Sequence, residues 1–308
     1  MTAEAPFPAM AAGHAHGHEA RARSDRKRLA WVAAAGTLVM ATEVYFGLLA
    51  NSLVLLADAG HYATDLGSVL LALLAAHWAL RKPTPVKTYG YARAEVLMAF
   101  VQALALWAIS AVFVWQAILR LRDPPEVEGP IVFFVGLGTL VVNAGLAFVL
   151  RSAPQKGINL RAAYLHILSD ALGSAAAVVA GALVFAFGWH VADPLLTLFT
   201  TLLILVFTWR LTRQSLHILL EGTPGHAATT AVEAVVRGVD GVKDVHDLHV
   251  WTHTSGVDSL TVHVVGEPNT GIARRVGAAV RTAFGIEHIT VQVESPESPC
   301  DTLRHGWT

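Results

Sequence analysis

The chain has 308 residues, of which 54% are hydrophobic and only 15% charged, with a mean hydropathy of +0.51 and a formal net charge of −1. A soluble domain carries roughly 25% charged residues, so this composition indicates a membrane protein; with no basic excess, it gives no electrostatic footprint for nucleic acid. The single cysteine, Cys300, excludes an intramolecular disulfide framework and any iron–sulfur or all-thiolate zinc site within one chain, and fifteen histidines leave imidazole as the ligand type if metal is bound.

Residues 1–28 form a tail with a Pro/Ala start, the cluster His14, His16, His18 and the basic run Arg21, Arg23, Arg26, Lys27, Arg28. The histidines read either as a weak metal-capturing cluster or as incidental residues on a solvated tail. The apolar stretch from Leu29 to about Ala50 exceeds the ~7–15 residues of a signal-peptide core, so it reads as a first transmembrane helix. Further spans are predicted at Leu53–Leu80, Glu95–Leu121, Ile131–Leu150, Leu160–Phe187 and Pro194–Leu220, each long enough for the ~20 residues a bilayer crossing requires. The predicted architecture is therefore an α-helical membrane protein with six transmembrane helices over 29–222. Lys and Arg fall in alternate connections: the amino-terminal run, then Arg81, Lys82, Lys87 and Arg93, then Arg151, Lys156 and Arg161, and finally Arg210 and Arg213. The positive-inside rule then places both termini in the cytoplasm, with Arg120 and Arg122 as dissent beside the acidic stretch Asp123–Glu128.

Ionisable groups inside spans are costly and point to function. Two of them repeat a pattern: His61-x-x-x-Asp65 and His166-x-x-x-Asp170, each with a nearby Gly-Ser (Gly67-Ser68, Gly173-Ser174). A spacing of four stacks imidazole and carboxylate on one helix face, and small residues let two helices approach. Two imidazoles and two carboxylates suit a tetrahedral borderline ion such as zinc, while calcium and magnesium prefer more oxygens. Because a ligating imidazole must be neutral, protons and metal compete for His61 and His166. The fifth helix must run antiparallel to the second, so His61 is expected level with Asp170, and Asp65 with His166. Glu43 reads either as a ligand or ligand-orienting group or as a contact within the bundle, and Asp58 either as a partner behind the ligands or as a helix-end contact. Gln102 and Asn143 read as hydrogen-bonding links between helices.

Beyond Thr223 the character changes to an αββαβ soluble module over 223–308, with elements at about His226–Val239, Asp244–Thr254, Val257–Gly266, Ile272–Phe284 and His288–Glu294. Strand alternation puts His249 and His253 on the face opposite His246, and sets His288, Thr290, Gln292 and Glu294 on one face. His288 and Glu294 are then about 20 Å apart along the strand, too far to share one ion unless the chain bends or a second protomer contributes. There is no Gly-x-x-x-x-Gly-Lys loop, which argues against ATP-driven pumping.

The segments Leu56-Ala57-Asp58-Ala59-Gly60-His61 through Asp65, Tyr89-Gly90-Tyr91-Ala92-Arg93-Ala94-Glu95, Tyr164-Leu165-His166 through Gly173-Ser174, and Val245-His246-Asp247-Leu248-His249-Val250-Trp251 resemble the cation diffusion facilitator family, in its bacterial zinc, cadmium and cobalt efflux branch. The resemblance runs from roughly Arg28 to Cys300. It implies a divalent metal/proton antiporter of the bacterial inner membrane, not an enzyme. Zn2+ is its substrate, Cd2+ or Co2+ are tolerated, and no permanent cofactor is needed. His61, Asp65, His166 and Asp170 fall on the family's transport-site ligands. The resemblance makes the carboxy-terminal module a cytoplasmic metallochaperone-like domain that pairs with its copy in a homodimer. There, His246, His263 and Glu294 fall on positions that bind regulatory Zn2+ in relatives, with His288 a further candidate and Cys300 a weaker one. Gln292 stands where some relatives carry histidine, and Tyr91 where some carry a metal-binding histidine in the loop. Arg93 and Glu221 match a charge interlock, for which an ordinary interfacial salt bridge is the alternative. A metal channel and a membrane-anchored metal sensor are the rival function classes.

Overall fold

A computed structural model describes residues 34–79, 81–151, 158–254, 256–267 and 271–297. The tail with His14, His16 and His18, and Cys300, lie outside the described residues. The helices are α1 (Ala34–Leu49), α2 (Leu53–Ala79), α3 (Ala94–Arg122), α4 (Gly129–Arg151), α5 (Ile158–Phe187) and α6 (Ala192–Leu219). Four of them, α3 to α6, contain stretches long and apolar enough to cross a membrane; α1 is apolar but its described part is shorter. Large apolar side chains such as Leu104, Trp115, Phe134, Phe148, Phe199 and Phe207 point outward. Exposed apolar surface of this extent suits contact with lipid rather than water.

The chain separates into two compact units. The first holds residues up to Gly67 and Leu106–Leu205. Its core joins Val54 and Leu55 of α2, Val132 of α4 and Ala176, Ala177, Ala180 and Val184 of α5. Small residues set how closely α4 and α5 approach. A Cβ on Gly136 would sit 2.9 Å from the Val178 nitrogen, one on Gly129 2.6 Å from the Phe185 nitrogen, and one on Gly181 would collide with the Phe133 backbone. Backbone cannot yield as a flexible side chain can. Gly181→Leu is therefore expected to cost at least the ~1–3 kcal/mol of ordinary overpacking, read as a lower unfolding temperature of the purified protein.

Asp193 fastens the start of α6 to the start of α2. Fully buried, it accepts hydrogen bonds from Ser52 Oγ at 2.6 Å and from the Leu53 and Val54 backbone N–H groups at 2.8 and 3.3 Å. A helix begins with orphan N–H donors, and here a carboxylate from another helix takes those of Leu53 and Val54, while Ser52 Oγ accepts from the Leu55 N–H at 3.4 Å. Arg120 is also structural: its guanidinium donates to the Asn51 carbonyl at 2.6 Å and to Asn51 Oδ1 at 3.0 Å. It thus holds the left-handed residue (φ 52°) that turns α1 into α2. That role accounts for a basic residue beside the acidic stretch Asp123–Glu128.

The second unit holds Ser68–Ala105 and the chain from Val206 on. Its carboxy-terminal part runs α7 (Thr229–Arg237), β1 (Asp244–Thr254), β2 (Val257–Val265), α8 (Ile272–Phe284) and β3 (His288–Glu294). The strands form one sheet in the order β1-β2-β3, with β1 antiparallel and β3 parallel to β2. Val232 and Val236 of α7 and Ile272, Val276 and Val280 of α8 share a core with Val245, Val250, Leu260, Val262 and Val264. The 3.6-residue apolar stripe of each helix thus meets the inward residues of the strands. Helix α7 starts three residues later than the sequence suggests, because Ala228 is extended (φ −54°, ψ 134°).

Candidate metal centre

Two helices of the first unit bring the intramembrane pairs together. His61 Nε2 lies 3.6 Å from Asp65 Oδ2 and 3.7 Å from Asp170 Oδ1, while His166 Nε2 lies 3.3 Å from Asp65 Oδ2 and 3.9 Å from Asp170 Oδ2. Each imidazole therefore meets the carboxylate of its own helix and that of the opposing one, the cross-pairing antiparallel helices require. The Asp170 side chain is 4% exposed and that of His166 45%, so the cluster is closed behind Asp170 and open beside His166. His61 Nδ1 and Asp170 Oδ1 are buried with no hydrogen-bond partner. His61, Asp65 and Asp170 each offer a ligand atom within 4.8 Å of the others.

These spacings bear on which ion fits. A tetrahedral shell with bonds of about 2.0–2.1 Å has ligand-to-ligand edges of about 3.3–3.4 Å. The four imidazole–carboxylate edges, 3.3 to 3.9 Å, begin at that value and extend above it. Small contractions would close the set on zinc. The donor set, with two imidazoles and few oxygens, does not suit a six- to eight-oxygen calcium shell.

Local sequence explains the approach only in part. Gly173 is where α5 comes close to α2: a Cβ there would run into the Asp58 carboxylate. Gly67, by contrast, has nothing within 4 Å, so the symmetry of the two Gly-Ser pairs does not extend to packing. Gly60 instead does comparable work, since a Cβ there would meet Phe113 at 2.8 Å. Behind the four residues lies a buried polar layer. Asn143 Nδ2 donates to Tyr62 Oη at 2.7 Å and Ser174 Oγ at 3.1 Å, and the Ser174 hydroxyl is within 3.4 Å of Asp58 Oδ2 and 3.2 Å of the Asp170 carbonyl. Asp58 thus stands behind the cluster. Glu43 is fully buried and has Asp58 as its electrostatic neighbour.

In the carboxy-terminal sheet, His246, His263 and Glu294 also converge. Glu294 reaches His246 Nε2 at 3.3 Å and His263 Nδ1 at 2.8 Å. His246 and His263 are cross-strand partners, with rings 5.4 Å apart. Asp247, which pattern reasoning passed over, adds a carboxylate 3.5 Å from His263 Nε2. It gets there through a β-bulge: Asp247 has φ 49°, and the register jumps between His246 and His249. The same bulge corrects the strand alternation, since the extra residue returns His249 to the face of His246. The motif His246-Asp247-Leu248-His249 carried a signal for this, an Asp tolerant of the left-handed region within a strand. His288 is not part of this cluster. It pairs across from Ser259 and its ring lies 5.8 Å from that of Tyr89.

His253 shares that outer face but is 93% buried by its 7% exposure, its ring 4.4 Å from that of Tyr89. Burial, with the nearby Arg93 and His288, lowers its pKa below the ordinary histidine value. Folded protein therefore takes up this proton less readily than unfolded protein, so stability falls as pH drops through the ordinary value of about 6.5 and recovers above it. His253→Gln is expected to flatten the acid side of the stability–pH curve, measured by denaturant unfolding between pH 5 and 7.5. Arg93 Nη2 lies 3.1 Å from Glu221 Oε1, with side chains 35% and 65% exposed. A pair this open is expected to show a coupling of only about 0.2–1 kcal/mol in a double-mutant cycle.

Fold and composition define a multi-pass helical membrane protein with a carboxy-terminal domain built on a three-stranded sheet. The chain belongs to the cation efflux family, the cation diffusion facilitators: the family model for the cation efflux transmembrane domain matches residues 29–220, and that for the cation efflux protein cytoplasmic domain matches 224–296. It is 35% identical over 287 residues to the cadmium, cobalt and zinc/H(+)-K(+) antiporter of Bacillus subtilis, covering 91% of this chain and 92% of that one. It is 36% identical over 302 residues to the metal cation efflux system protein CzcD of Cupriavidus metallidurans, covering 96% and 94%. It is also 36% identical over 296 residues to the zinc transporter ZitB of Escherichia coli, covering 93% of each. The protein is thus a transporter of the cation efflux family.

Proposed function

We propose that the chain exports Zn2+ from the cytoplasm in exchange for protons, with Cd2+ or Co2+ as tolerated substrates. The supporting observation is the cross-pairing of His61 and Asp65 with His166 and Asp170 at 3.3 to 3.9 Å. Neutrality explains the exchange. One Zn2+ balances two carboxylates when both imidazoles are neutral, and protons on the two imidazoles balance the same carboxylates when the metal has left. Either state avoids a net charge in the bilayer, where an uncompensated one is costly. The transporter would alternate between an inward- and an outward-facing bundle, binding metal on one side and protons on the other.

In this reading six helices span the bacterial inner membrane over 29–222, counting α1 and the His/Asp-bearing α2 among them. Residues 1–28 and the metallochaperone-like αββαβ domain at 223–308 lie in the cytoplasm. Two copies pair through that domain, with Arg93 and Glu221 as a charge interlock. His246, His263 and Glu294, joined by Asp247, hold regulatory Zn2+.

The test is uptake of zinc, cadmium, cobalt and manganese by proteoliposomes across an imposed pH gradient, with internal pH followed by a trapped dye. The expected result is metal flux accompanied by opposing proton flux, with manganese excluded. Metal flux without proton flux would assign a channel instead.

A further inference from the structure

The connection between α2 and α3, with the neighbouring ends of α2, α3 and α6 and strand β1, lines a cavity of about 1080 Å³ that the transport chemistry does not use. Its charges are unbalanced. Arg93 is matched by Glu221. Arg81 and Lys87 are both held against one aromatic ring, the guanidinium carbon 6.0 Å and the ammonium nitrogen 5.0 Å from the centre of Tyr91. Among the described residues neither cation has a carboxylate partner. Two cations held on one ring repel each other, and the arrangement becomes favourable when an anion lies between them.

The surroundings say what kind of anion. Trp78 and Tyr89 also line the cavity. Between the cations the loop carries Val86, 91% exposed, an apolar tip flanked by Arg81, Lys82 and Lys87. Aromatic rings, basic side chains and an exposed apolar residue at the end of membrane helices form the pattern of a segment seated in the headgroup layer. A soluble anion would need the cations but not the apolar tip.

We propose that Arg81 and Lys87 bind the phosphate of an anionic phospholipid headgroup, with Val86 in the adjoining acyl boundary. The assignment of the cytoplasmic leaflet rests on the orientation proposed above; the binding itself does not.

The test is lipid binding to the purified full-length protein, followed by native mass spectrometry during titration with phosphatidylglycerol or phosphatidylcholine. Phosphatidylglycerol is expected to bind in preference. The Arg81→Gln/Lys87→Gln double variant should lose roughly fivefold in affinity per cation, about 25-fold in all, while phosphatidylcholine binding stays unchanged. The charge-preserving Arg81→Lys/Lys87→Arg variant should keep the preference, which separates loss of a site from loss of the fold. Equal binding of the two lipids, or unchanged phosphatidylglycerol affinity in the double variant, would overturn the proposal. Protection from thermal unfolding by inorganic phosphate equal to that by phosphatidylglycerol at the same concentration would reassign the site to a soluble anion. Conversion of the double variant to monomers would reassign the cavity to a second copy of the chain. None of these readouts requires metal flux, so antiport and lipid binding can fail separately.

Discussion

Cells that depend on this protein for zinc tolerance are expected to lose that protection when either His61 or Asp170 is replaced by alanine. Each substitution removes one of four donors. His61→Ala leaves Asp65 and Asp170 facing a single imidazole, and Asp170→Ala removes the most enclosed carboxylate of the set. Losing a group that merely orients a ligand costs about 10–100-fold in metal affinity, so losing a ligand should cost at least that. Charge balance is lost as well: in His61→Ala the one remaining imidazole sets a single proton against two carboxylates once the metal has left, and in Asp170→Ala neither Zn2+ nor two protonated imidazoles are neutralised by the one remaining carboxylate. A membrane-anchored sensor whose working part is the carboxy-terminal domain would tolerate both changes. Growth in graded zinc, with membrane expression matched by immunoblot, separates the two: normal tolerance in either mutant would count against a transport site at these residues.

The second large effect is expected far from that cluster. Asp193→Ala removes the acceptor for Ser52 Oγ and the Leu53 and Val54 N–H groups, leaving them buried at the start of the helix that carries His61 and Asp65. Losing a cap and stranding buried donors together cost about 2–4 kcal/mol. Asp193→Asn, which keeps one acceptor oxygen, should cost less. The expected readout is a lowered unfolding temperature for Asp193→Ala with the asparagine variant intermediate. Wild-type stability in the alanine variant would show that water or neighbouring groups satisfy those donors.

Asp193 also marks where the sequence stops being legible. The helices α2 to α6 and all three strands lie within two residues of the positions that hydropathy and Val/Ile/Thr enrichment assign them, because burial in lipid or in a sheet writes a periodic signal. The repeated His-x-x-x-Asp was likewise readable, since a local spacing of four fixes a helix face and the order of charges fixes helix direction. Contacts between distant segments leave no such trace. An Asp beside a Pro at a helix start reads as ordinary punctuation, and nothing in Ser52-Leu53-Val54 names its acceptor. The glycines show the same limit: Gly67 and Gly173 look alike in sequence, yet only Gly173 stands against another helix. In the cytoplasmic domain, strict alternation sent His249 to the wrong face because one bulge at Asp247 adds a residue. A single left-handed residue resets the parity of everything after it.

Zinc-driven proton movement in proteoliposomes of the purified wild-type protein and of its His61→Ala and Asp170→Ala variants tests the central claim most directly. The expected result is internal pH change on addition of zinc to the wild type, dependent on zinc concentration, and none in either variant at equal protein incorporation. Proton movement that persists in both variants would contradict a transport site built from His61, Asp65, His166 and Asp170.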